Sequence, residues 1–256
     1  MVPLFDVILI ETHNACTRTC WFCKFGQARQ DSHQTEMSWS TIKRIVFNLR
    51  DLDYRGRISW FWINEPLMDA RIAEIVRFTR KHCPNAFLSL VTNGDLLTDD
   101  IFASLRANGL DTLGISIYDD LAAKHVGTLK SDDRLILMDM RKMRPRSLEN
   151  RGGNIVRQAR VFAEDQQARL GTSCGRPFKM MTVNSKGQAV LCCSDLYSDV
   201  VMGDLATERL EEIWNNDLFR HYRTRLDEQG RAGLKLCGDC SYNGGPSPLQ
   251  YPLQRA

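Results

Sequence analysis

Cys16, Cys20 and Cys23 stand in the spacing CxxxCxxC, within Cys16-Thr-Arg-Thr-Cys20-Trp-Phe-Cys23. A thiolate is a soft metal ligand, so three of them in one short loop point to a metal rather than to packing. Three is one short of the four that close an iron–sulfur cluster. The open position is what a cluster needs if it is to bind and cleave a substrate. A structural zinc site is the other reading, with His13 as a fourth ligand or with Cys20 and Cys23 paired to another CxxC. Four further thiols stand far along the chain: Cys174, Cys192, and the pair Cys237-Gly-Asp-Cys240. That is the ligand count of a closed cluster, and it suits zinc as well. Cys193 directly follows Cys192 and is not required by the count. Cys83 has no such context and reads as core.

The elements that must position these groups alternate through the first 140 residues. Phe5–Glu11, Ile58–Ile63, Phe87–Val91, Leu113–Ile117 and Leu135–Met138 read as strands. Trp39 to Leu52, Ile72 to Phe78 and Ile101 to Leu105 carry helical spacing between them. Strands alternating with helices mean a parallel sheet of βαβ units. Five strands are too few for a closed eight-stranded barrel, so the expected fold is α/β, a partial (β/α) barrel with its ligand at the carboxyl ends of the strands. Beyond residue 140 the pattern changes. Residues 140–160 read as an irregular connection. Phe178–Val183 and Gln188–Leu191 flank Asn184-Ser185-Lys186-Gly187 as a hairpin, and Glu208 to Leu226 reads as one helix with Leu218 on its apolar side. The expected division is a barrel over 1–168 and a small α+β metal-stapled domain over 169–256.

Composition sets limits on function. The chain has 256 residues, 43% hydrophobic and 25% charged, which excludes disorder and collagen-like repetition. Its net charge of +3 makes no case for nucleic acid. No apolar run approaches the ~20 residues of a membrane span, and Asp6 with no basic segment before it argues against a secretory signal. The expected location is the cytoplasm, and nine cysteines there suit metal or redox chemistry better than disulfides.

The CxxxCxxC spacing after the first strand, with Phe22 inside it, resembles the radical S-adenosylmethionine superfamily. Three more features follow in that family's order, each at a strand end: Asn64-Glu65-Pro66, Thr92-Asn93-Gly94 and Ser116. The resemblance implies that Glu65 takes the methionine amino group of the cofactor, and that Thr92, Asn93 and Ser116 line its methionine and ribose pocket. Asn64 departs from the family's usual glycine. The segments Met202-Gly203-Asp204-Leu205 and Leu210 to Trp214 resemble an auxiliary-cluster region. No cysteine follows Cys240, so the likeness is to the shortened, single-cluster twitch type of SPASM domain. S-Adenosyl-L-methionine and two [4Fe–4S] clusters are therefore implied, with chemistry that abstracts hydrogen from an unactivated carbon. A flavodoxin-like electron donor is implied as well.

Within that group the likeness is nearest to dehydrogenases of the 2-deoxy-scyllo-inosamine type and to sugar epimerases of aminoglycoside biosynthesis. It is carried by Gly56-Arg57-Ile58-Ser59, Asn150-Arg151-Gly152-Gly153 and the Met202-Gly203 segment. It implies an aminosugar or aminocyclitol substrate, with Arg151 hydrogen-bonding one of its hydroxyls. A turn with a solvated Arg is the plain alternative. Asp195 is a further candidate for a cationic substrate amine, or with Ser194 for capping the local turn. Where those dehydrogenases place an aromatic residue, Cys193 stands here. A thiol can return a hydrogen atom to a carbon radical, so the expected outcome is epimerisation through Cys193. Oxidation to a ketone is the alternative. A peptide-modifying radical maturase and a non-catalytic zinc-binding interaction module are the remaining readings; the latter leaves the strand-end residues unexplained.

Overall fold

The computed structural model describes residues 4–27, 34–141, 149–155 and 159–245. Eight strands form one sheet in the order β5-β4-β3-β2-β1-β6-β7-β8. The first five are β1 (Val7–Ile10), β2 (Arg57–Ser59), β3 (Phe87–Thr92), β4 (Thr112–Ile117) and β5 (Leu135–Asp139). They are all parallel, and helices α1 (Trp39–Asp51), α2 (Ile72–His82), α3 (Asp99–Ala107) and α4 (Asp120–Val126) connect them. This is the α/β partial barrel that the alternating pattern predicts. Ile58 to Ile63 is strand only as far as Ser59; Trp60 to Trp62 continue as a buried loop beyond the strand end, with Ile63 half-buried.

Later elements differ more from expectation. Helix α5 (Ala159–Arg169) follows the loop at 149–155, and the expected boundary at 168/169 falls at its end. Then come the short α6 (Arg176–Lys179), β6 (Met180–Val183), β7 (Gln188–Val190), β8 (Val201–Asp204), α7 (Leu210–Trp214) and α8 (Asp217–Glu228). Strand β6 lies parallel to β1, with Ile8 opposite Met181, so the hairpin extends the barrel sheet itself. The single helix expected over Glu208 to Leu226 is two. Asn216 caps α8 by accepting the Phe219 amide, and a cap of this kind starts a new helix. The break resets the phase, which leaves Leu218 39% exposed while Trp214 and Phe219 are fully buried.

Alternation along β1 sorts the two faces of the sheet. Ile8 and Ile10 point into the main core with Ile42, Ile45, Val46 and Leu49 of α1. Val7 and Leu9 point the other way, onto the inner face of the partial barrel, with Trp62, Met180, Val190 and Cys193. The large core fixes the strands, and the inner face receives what the strand ends present. No helix among the described residues is long and apolar enough to cross a membrane.

Candidate active site

The cysteine loop leaves the end of β1 and is pinned to the ends of β3 and β4. Arg18 forks onto Asp95, with Nε donating to Oδ2 at 2.8 Å, and reaches Asp119 at 2.6 Å. Asn93 Nδ2 donates to Thr17 Oγ1 at 2.8 Å and approaches Cys16 Sγ at 3.7 Å. Burial pushes the Cys20 thiol up to about 11, and the neighbouring Cys23 and Cys16 add to the shift. Thiols this close raise one another because two negative charges repel; binding to iron removes the protons and relieves that repulsion. His13 is not a ligand. Its Nδ1 accepts the Ala15 amide at 3.1 Å, which leaves Nε2 to donate to the Glu65 carbonyl at 3.1 Å.

Polar residues beyond β2, β3 and β4 close around this loop. Glu65, 2% exposed, accepts the Leu67 amide and the Thr92 hydroxyl on Oε1 and the Asn93 amide on Oε2. Two donors fill Oε1, whereas Oε2 keeps an acceptor position. Burial raises the Glu65 carboxyl above its ordinary range despite these bonds. Asn64 Oδ1 accepts the Trp62 amide at 3.2 Å, while its Nδ2 is buried with no partner among the described residues. An orphaned donor on Asn64 and a spare acceptor position on Glu65 fit a ligand with both acceptor and cationic groups, as the amino-acid end of S-adenosylmethionine has. Ser116 hydrogen-bonds Tyr118, whose ring lies 5.6 Å from that of Phe22. Burial pushes the Tyr118 hydroxyl up to about 12, with the three loop thiols contributing.

The thiols of the second group are neighbours in the fold. Burial raises Cys192 well above the usual thiol range, with Cys237 and Cys174 among its neighbours. Cys237 is pushed up to about 12 by burial, then by Cys174 and Cys240, and Cys240 to about 11. All nine cysteines are free thiols. Among the described residues no three His, Cys, Asp or Glu side chains are drawn together as one metal ion requires. Four thiols around a cluster stand further apart than around a single zinc with bonds of ~2.3 Å.

Between the two groups lies a network of charges. Glu149 takes Arg176 at 2.7 Å and Arg151 at 3.3 Å. Burial alone would raise its carboxyl, but the two guanidiniums hold it below the ordinary value. Arg176 is itself buried, donates to Ser194 Oγ at 2.6 Å and stacks 3.4 Å over the Tyr242 ring. The Arg151 charge is felt both by Cys23 in the first group and by Cys193 beside the second. Cys193 is 1% exposed on the inner face, and burial raises its thiol, so it carries its proton. Trp62 Nε1 holds the Cys193 carbonyl at 3.0 Å. Asp195 is placed elsewhere. Its two oxygens accept the Asp199 and Val200 amides at 2.8 and 2.9 Å with no exposed surface, so it caps a turn and is removed from the substrate set.

Residues 10–124 match the Radical SAM superfamily, and residues 174–241 match the SPASM iron–sulfur cluster-binding domain. The chain carries a radical SAM domain followed by a SPASM domain. An S-adenosyl-L-methionine-dependent 2-deoxy-scyllo-inosamine dehydrogenase from Niallia circulans is 27% identical over 98% of each chain. The crystal structure of BtrN in complex with AdoMet and 2-DOIA superposes with a TM-score of 0.82 at 26% identity, covering 95% of both chains. A structure of anSMEcpe with bound AdoMet shares the fold, with a TM-score of 0.54 at 15% identity over 87% of this chain and 83% of that one.

In the radical SAM domain the strand-end residues read from sequence (Asn64, Glu65, Thr92, Asn93, Ser116) meet at one end of the barrel beside Cys16, Cys20, Cys23 and Phe22. Sequence reasoning missed Tyr118, Trp62, Glu149 and Arg176. Tyr118 lies two residues past Ser116 on the same strand phase, a signal that alternation offers. Nothing local marks Glu149 or Arg176, whose partners are 27 residues apart in the chain.

Proposed function

We propose that this chain oxidises a secondary alcohol of an aminocyclitol or aminosugar, drawing its electron from a flavodoxin-like donor in the cytoplasm. The observation that carries this is the position of Arg151, ion-paired at 3.3 Å to Glu149 in the charge network, where, against burial, its charge also lowers the Cys23 and Cys193 thiols. A substrate held by that guanidinium would lie between the two cysteine groups. What supports oxidation ahead of the inversion favoured by sequence is the likeness, over 98% of both chains, to a dehydrogenase.

Cys16, Cys20 and Cys23 would hold a [4Fe–4S] cluster with S-adenosylmethionine on its open site, and Cys174, Cys192, Cys237 and Cys240 a second. When bound, these groups supply hydrogen-atom abstraction and accept the electron left behind. The chain's own residues do the rest. Glu65, Asn64, Thr92 and Asn93 orient the methionine end, and Phe22 and Tyr118 wall the loop. Arg151 donates to a substrate hydroxyl, its charge balanced by Glu149. Trp62, Met180 and Val190 keep water from the inner face, where a carbon radical must survive.

Inversion is the second reading, and Cys193 favours it: a buried, protonated thiol on the inner face carries a hydrogen atom to give. The discriminating experiment incubates anaerobically reconstituted protein with 2-deoxy-scyllo-inosamine in D2O. Ketone formed in equal amount with 5′-deoxyadenosine, and unchanged in rate in Cys193→Ala, establishes oxidation. An epimer carrying solvent deuterium, lost in Cys193→Ala, establishes inversion. No 5′-deoxyadenosine coupled to any aminocyclitol or aminosugar rejects both.

A further inference from the structure

The loop that carries Arg151 is shaped by the loop that carries Cys237 and Cys240. Three consecutive residues, Arg151, Gly152 and Gly153, have φ values of 50, 63 and 82°. A left-handed non-glycine residue persists only where its surroundings over-determine it. Here the surroundings are the auxiliary ligand loop. Asn150 Oδ1 accepts the Ser241 amide at 2.9 Å, its Nδ2 donates to the Asp239 carbonyl at 2.6 Å, and its amide donates to Ser241 Oγ at 2.9 Å. A Cβ on Gly152 would come within 2.4 Å of Leu236, and one on Gly153 within 3.0 Å of Asp239. The glycines let this backbone lie directly against the Leu236 and Asp239 side chains.

The opposite side of the Arg151 loop is tied to the remaining ligand segments. Asn154 Nδ2 donates to the Arg151 carbonyl at 2.7 Å and to the Ser194 carbonyl, two residues past Cys192, at 3.1 Å. Glu149 grips the Arg151 guanidinium and also Arg176, two residues past Cys174. Arg176 in turn spans Ser194 and Tyr242, the latter two residues past Cys240. Every segment that bears an auxiliary thiol therefore reaches a residue of the 149–154 loop.

We propose that Asn150 and Glu149 are positioning residues for Arg151, casting its loop against the auxiliary ligand segments, so that filling the auxiliary site sets how Arg151 is presented to substrate. This rests on the reading of Arg151 as a substrate contact. The auxiliary site then has a mechanical task beside its redox one, and a chain with only its first site filled would bind substrate poorly.

Hydrogen–deuterium exchange of the two-cluster protein at 149–155 is the test, compared with Cys237→Ala/Cys240→Ala, with Cys16→Ala/Cys20→Ala/Cys23→Ala, with Asn150→Asp and with Glu149→Gln. Asn150→Asp turns the donor to the Asp239 carbonyl into an acceptor. Exchange at 149–155 should rise about tenfold in the auxiliary variant and in Asn150→Asp, a loss of about 1.4 kcal/mol of local protection. It should stay at the parent rate when only the first site is emptied. Equal protection in all of them overturns the proposal. If Asn150→Asp sheds auxiliary iron, Glu149→Gln decides with its own iron measured, since Glu149 reaches Tyr242 through Arg176: faster exchange at full auxiliary iron supports the proposal, and parent-like exchange, or faster exchange only where iron is lost, overturns it. With 2-deoxy-scyllo-inosamine as probe, Glu149→Gln should raise KM about tenfold with kcat nearly unchanged. If Arg151→Ala leaves both constants at parent values, the substrate reading falls and this inference with it. Flat exchange beside a raised KM in Arg151→Ala brings down the positioning alone.

Discussion

The Thr92 hydroxyl donates to Glu65 Oε1 at 2.6 Å, so the last residue of β3 and the acidic residue beyond β2 share one buried proton-poor oxygen. A carboxylate held this way is oriented before any ligand arrives, which is the condition for a preorganised electrostatic site.

Glu65→Gln should weaken S-adenosylmethionine binding and lower stability together. An amide cannot satisfy the Leu67 and Asn93 amides and the Thr92 hydroxyl at once, because its NH2 faces a donor. Leaving one buried donor unmet costs about 1–3 kcal/mol. Denaturant unfolding without cofactor and calorimetric titration with it read the two effects separately. Unchanged affinity would detach Glu65 from the cofactor.

Stability should fall in mild acid because of His13. Burial lowers its pKa from 6.5, so the folded state resists a proton that the unfolded chain accepts. The stabilisation from neutral His13 is complete above about pH 6.5 and is lost as pH falls through the lowered folded value. In His13→Asn, which offers the Ala15 amide an acceptor that does not titrate, the melting temperature should depend less on pH below 6.5. Parallel curves for the two proteins would exclude His13 as the source.

Trp62→Phe keeps the ring on the inner face but removes the N–H held by the Cys193 carbonyl. The expected loss is about 1–3 kcal/mol for the unmet buried carbonyl. Chemical denaturation measures it. In protein reconstituted with the two proposed clusters, loosening of the Cys192–Cys193 segment should also change the electron paramagnetic resonance signal of the second, with the first unaltered.

Arg18→Ala should release the cysteine loop. Its guanidinium forks onto Asp95 and also reaches Asp119, a geometry that lysine cannot reproduce. Iron retained at the first site after gel filtration should drop in Arg18→Ala and in Arg18→Lys alike, with the second site full. Retention at the parent level in both would show the loop to be held by Asn93 and the backbone alone.

Why some of this was legible in sequence and some not follows from where each signal lies. The cysteine spacing, Asn64-Glu65 and Thr92-Asn93 sit in short loops after strands, and a parallel sheet delivers such loops to one end whatever the rest of the chain does. Strands β3, β4 and β5 matched their apolar runs nearly residue for residue. Helix α4 was missed because it spans only seven residues, too few to show a period. Strand β8 was missed because Val201–Asp204 pairs with β7 through a register shift that no local pattern announces. The pairing of β6 with β1 links residues some 170 apart, and the Glu149–Arg176 pair likewise depends on the finished fold. Asp195 misled for a different reason: an acidic residue three positions past Cys192, a thiol read from sequence as a ligand, looks like chemistry, and only the two amides aimed at it show that it serves the turn.

The continuous sheet has a consequence for how this chain can be divided. Strand β1 bonds β2 on one side and β6 on the other, and β6 lies beyond α5. Cutting the chain after Arg169 would strip one side of Val7–Ile10, four fully apolar residues, and turn the middle of the sheet into a bare edge. Such an edge recruits other strands, so the barrel half expressed by itself should self-associate. The metal-binding tail is thus also the seal on the barrel's open side.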